Sequence, residues 1–65
     1  MSYHSRLALE AALDQLNQAT ERTYTIREVG STFALCIPTG GEYPPATATE
    51  LLQRLVTMRN AALGY

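Results

Sequence analysis

Tryptophan and lysine are absent from the 65 residues of this chain, and cysteine, histidine and phenylalanine occur once each. Each shortage closes a route. The single cysteine, Cys36, cannot form an intramolecular disulfide, and the single histidine, His4, leaves no Cys/His set for a structural zinc site. Five arginines and six carboxylates, spread singly along the chain, give a net charge of −1 and neither a basic stripe nor an acidic tail. No apolar run has the length of a membrane span or a signal-peptide core, so a cytoplasmic protein with a reduced thiol is expected. The length admits one small domain. Domains of this size bury only about 60% of their unfolded surface and draw about 3–5 kcal/mol from one core, so without a cross-link this chain is expected to gain stability as a homodimer.

What is present orders itself into four elements. Residues 5–20 hold neither glycine nor proline and are rich in Leu, Ala, Gln and Glu, which predicts a helix with Leu9, Ala12, Leu13, Leu16 and Thr20 on one stripe. Leu7 falls on the far side, either as an ordinary exposed leucine or as a contact for another chain. Between residues 22 and 38 β-branched and aromatic residues flank Gly30-Ser31, the pattern of a hairpin with a type II′ turn. Placing Val29 and Thr32 beside that turn opposes Glu28 with Phe33, Ile26 with Leu35 and Tyr24 with Ile37, all on one face. Residues 38–46 read as a loop, and Thr47-Ala48-Thr49-Glu50 as a capping box opening a helix over about 48–63 that stops at Gly64. The expected fold is therefore α+β, in the order α-β-β-α. Two helices pack on one face of a two-stranded antiparallel hairpin, whose two open edges invite completion by a second copy.

Two charges look misplaced in this scheme. Glu28 lies on the apolar face of the hairpin and Arg59 inside the wide apolar arc of the second helix, so two readings stand side by side: an ion pair between them at one end of the core, or two residues that merely lie at its margin. Glu50 and Arg54 form a favourable i, i+4 surface pair.

Residues that could carry chemistry do not converge in the sequence. Cys36 and His4 would serve as nucleophile and base only if the start of the chain folded back on the sheet. Thr39-Gly40-Gly41 lacks the following lysine of a phosphate cradle, and Glu42 sets a negative charge where the phosphate would lie. The reading is a non-enzymatic module without cofactor or metal. The helix-strand-strand-helix order is similar to that of double-stranded-RNA-binding domains, but those carry a third strand and a lysine pair where this chain has Ala48-Thr49-Glu50, so nucleic acid is not an expected partner.

In general character, though by no motif, the chain resembles the small accessory proteins of phages and mobile elements, such as anti-CRISPR inhibitors. The resemblance implies stoichiometric binding to a larger protein. Tyr3, Leu7, Arg27, Tyr43, Pro44 and Arg59 are the candidate partner-binding residues, and Val29, Ala34, Cys36, Val56 and Leu63 the candidate dimer contacts. Tyr43 has a second reading as a cover over the end of its own core. The alternative functions are a dimeric small-ligand or nucleotide binder using Arg27 or Arg59 with Tyr43, and a small DNA-associated regulator or antitoxin.

Overall fold

A computed structural model describes residues 3–65, with side chains from Arg6 onward. The elements are α1 (Tyr3–Thr20), β1 (Thr25–Val29), β2 (Thr32–Cys36) and α2 (Ala48–Leu63), two helices packed on a two-stranded antiparallel hairpin. The predicted stripe of α1 faces inward: Leu9, Ala12 and Leu16 are buried and Leu13 packs against them. α2 contributes Leu51 and Leu55, and with Leu16 and Leu35 these are the largest side chains wholly shut off from solvent. Tyr24, Phe33 and Ala46 complete the core.

α1 stops by a backbone device that composition alone conceals. Glu21 adopts φ 55°, the left-handed conformation that usually falls to glycine after a helix, and the Arg22 N–H bonds the Asn17 carbonyl at 3.3 Å. α2 is framed as its sequence predicts. The Thr47 hydroxyl accepts from the Glu50 N–H at 3.2 Å while the Glu50 carboxylate receives the Thr47 N–H and hydroxyl, and Gly64 at φ 84° closes the other end. That use of Glu50 corrects the expected Glu50–Arg54 surface pair, because Arg54 instead lies over the Tyr43 ring, 5.4 Å from its centroid.

The hairpin keeps the predicted register, with Glu28 opposite Phe33 and Ile26 opposite Leu35. Gly30 has φ 61° and Ser31 is not in the positive-φ region, the sign pattern of a type II′ turn. The ladder ends at Thr25 opposite Cys36, so the expected Tyr24–Ile37 pair does not form. Competing partners take both residues. The Asn17 side-chain amide binds Tyr24 on both sides, accepting its N–H at 2.8 Å and donating to its carbonyl at 3.1 Å, while the Ile37 N–H goes to the Gly41 carbonyl at 3.0 Å.

Residues 41–46 correct the expectation of two open edges. Phe33 and Ala46 exchange backbone hydrogen bonds at 2.8 and 2.9 Å, and the Tyr43 N–H reaches the Leu35 carbonyl at 2.9 Å. This strap occupies the outer edge of β2 as a short antiparallel third member, so that among the described residues the free edge of the sheet is that of β1. Ala34, on the face opposite the helices, is also wholly buried, at 0% exposure. The chain thus alternates direction at every segment, and α1 and α2 run in the same sense.

Candidate functional site

On the hairpin's outer face, Arg27 of β1, Cys36 of β2 and Glu42 of the strap meet. The Arg27 guanidinium grips the Glu42 carboxylate through two nitrogens, one at 3.2 Å, and the Cys36 thiol donates to the same carboxylate at 3.4 Å. Hydrogen bonding from Arg27, then from Cys36, holds the Glu42 carboxyl below the ordinary carboxylate range, and Glu42 in turn raises Arg27. A carboxylate stabilised in this way is a weak base toward the thiol. Its effect is to fasten the strap across β2.

The inner side of β1 has a different character. A groove of about 160 Å³ separates it from the first half of α1, floored by Leu9, Leu13, Ile26 and Phe33 and rimmed by Arg6, Glu10 and Glu28. Register fixes what the edge above it offers. In a two-residue hairpin the flanking Val29–Thr32 pair and every second pair beyond it are hydrogen-bonded across the ladder, so Ile26 and Glu28 turn their N–H and C=O groups away from β2. Tyr24 has the same phase, but Asn17 already holds both of its groups.

Glu28 is exposed and pairs with Arg6, which also reaches Glu10 at 3.5 Å. The reading of Glu28 and Arg59 as an ion pair is thereby overturned. Arg59 lies on the late turns of α2, where it donates to Gln15 and Asn60, and the parallel sense of the helices sets it at the far end from the Gly30 turn.

The candidate partner-binding residues do not form one surface. Leu7 is 43% exposed on α1, Arg27 lies on the outer face, Pro44 is exposed on the strap and Arg59 is engaged between the helices. The side chain of Tyr3 lies outside the described residues. Tyr43 packs half-buried against the core beneath Arg54, one of whose guanidinium nitrogens is buried without a hydrogen-bond partner. Its second reading, as a cover over its own core, is the observed one. Among the candidate dimer contacts, Ala34 is sealed by its own chain, Cys36 is tied to Glu42 and Val29 is half-buried, whereas Val56 and Leu63 stand 38% and 50% exposed on α2.

Sequence reasoning missed the groove residues Arg6 and Glu10, and read Leu13 only as part of the core stripe. The signal was Glu28 itself, a carboxylate on an apolar face that required a cation nearby. Among the described residues no cluster of His, Cys, Asp or Glu could hold a metal ion, and no helix is long and apolar enough to cross a membrane. No known protein family, curated protein or solved structure matches the chain.

Proposed function

We propose that this protein is a non-enzymatic module that acts by stoichiometric binding to a larger protein. The observation that carries the reading is the free edge of β1 beside an apolar, charge-rimmed groove, because strand edges and apolar grooves are the features through which small domains capture polypeptides. Val56 and Leu63 support a second, weaker contact between copies through α2.

The test is affinity capture by the immobilised protein, followed by repurification of the recovered complex. A dominant partner held at a fixed stoichiometric ratio through a second column supports the reading. Loss of all partners at that column, together with a thermal upshift on adding one member of a nucleotide panel, would transfer the protein to the ligand-binding class.

A further inference from the structure

Resting on that reading, we infer that the β1 edge takes an extended partner segment as an added antiparallel strand, with a basic residue opposite Glu28 and an apolar residue opposite Ile26. Three features of the site define this occupant.

The first is the backbone. Ile26 and Glu28 present an N–H and a C=O each to the outside, two residues apart, which matches two successive hydrogen-bonded pairs of an antiparallel ladder. The run has a definite end, because Asn17 fills the equivalent groups of Tyr24.

The second is the direction of the side chains. Residues opposite Ile26 and Glu28 project to the same face as those two, into the groove floored by Leu9, Leu13 and Phe33, whereas the residue between them projects beside Arg27 on the outer face. The groove volume of about 160 Å³ accommodates one large apolar side chain.

The third is charge. Among the described residues the rim carries two carboxylates, Glu10 and Glu28, and one guanidinium, Arg6. Among those residues it is one cation short. An incoming basic side chain at Glu28 would leave Arg6 its second partner, Glu10, and the exposed Arg6–Glu28 contact it displaces is of a kind that holds weakly. The position opposite Arg27 needs no charge, since Glu42 already neutralises it.

Charge also disfavours a second copy of this chain at this edge. The one two-fold register that uses both open residues pairs Ile26 with Glu28 of the other copy and sets Arg27 directly against Arg27, a like-charge pair. Read antiparallel, the preferred segment is basic, then a neutral β-former, then apolar. The chain's own β1 presents Ile26, Arg27 and Glu28 in that order, with the charges in the wrong places.

The experiment uses the intact protein and a short capped peptide with lysine, threonine and leucine at its centre, flanked by threonines. Two controls replace the lysine with glutamate or methylate the leucine nitrogen, the latter removing a ladder donor without touching the protein. Affinity by fluorescence polarisation should fall at least about tenfold with either control. Hydrogen exchange at the Ile26 and Glu28 amides should slow on saturation with the lysine peptide, and Glu28→Lys should reverse the preference between lysine and glutamate peptides. Equal affinity for all three peptides, no binding of any, or binding without protection of those two amides would overturn the edge site. The broader reading fails separately: a captured partner that Ile26→Pro does not release keeps the binding module and removes the edge, because proline at an outward-facing edge position spares the β1–β2 ladder.

Discussion

Replacing Asn17 with alanine tests whether a helix side chain substitutes for a neighbouring strand. The Asn17 amide makes two hydrogen bonds to the backbone of Tyr24, whose side chain is buried. Each such bond contributes about 1 kcal/mol net, so their loss costs about 2 kcal/mol. Alanine is the better helix former by up to about 0.7 kcal/mol, which offsets part of that loss. The expected destabilisation is about 1.5 kcal/mol, and at about 4–8 °C per kcal/mol for a domain of this size the Tm should fall by about 6–12 °C. Urea unfolding followed by circular dichroism measures it, with the exposed neighbour Gln18→Ala expected within about 0.5 kcal/mol of the parent. The substitution also extends the open edge of β1 by one residue, so self-association should rise in light scattering. A loss below about 0.5 kcal/mol with no change in exchange at the Tyr24 amide would refute the reasoning.

Three further outcomes follow from the packing. Leu55→Ala empties a fully buried site between α1, α2 and β2 and should cost about 2–5 kcal/mol by chemical denaturation, enough to unfold much of the population. Glu21→Gly should instead stabilise by up to about 1 kcal/mol, since it relieves a left-handed conformation at the end of α1; a destabilised variant would show that the glutamate side chain has a role of its own. The depressed Glu42 carboxyl contributes stability that is fully present above the ordinary carboxylate value of about 4.3 and is lost as pH falls through the lower folded value. NMR titration should therefore show the Glu42 midpoint rising in Arg27→Gln, with a lower protection factor at the Tyr43 amide at acid pH; an unmoved midpoint would contradict the pairing.

Much of the hairpin was legible because a single glycine fixes its turn and a one-residue slip would send Phe33 and Leu35 to the wrong face. The capping box and Gly64 were equally readable, since their signals are local. The strap was not. Its bonds to β2 run through the backbones of Tyr43 and Ala46, with Gly41 held by Ile37 just beyond the strand, and two prolines interrupt any alternation that would mark a strand. The partner of Glu28 was misread because helix periodicity gives the face of a residue but not the height at which one helix stands against another. Arg6 and Arg59 were both open to it, and the alternating course of the chain decides for Arg6.

The apolar layer is shared between opposite ends of the sequence, Leu9 and Leu16 coming from the first helix and Leu51 and Leu55 from the last. Neither half encloses an interior alone. Neither helix can leave this layer while the other keeps its interior, so melting should be all-or-none, with slowly exchanging amides in α1 and α2 reporting one common opening energy.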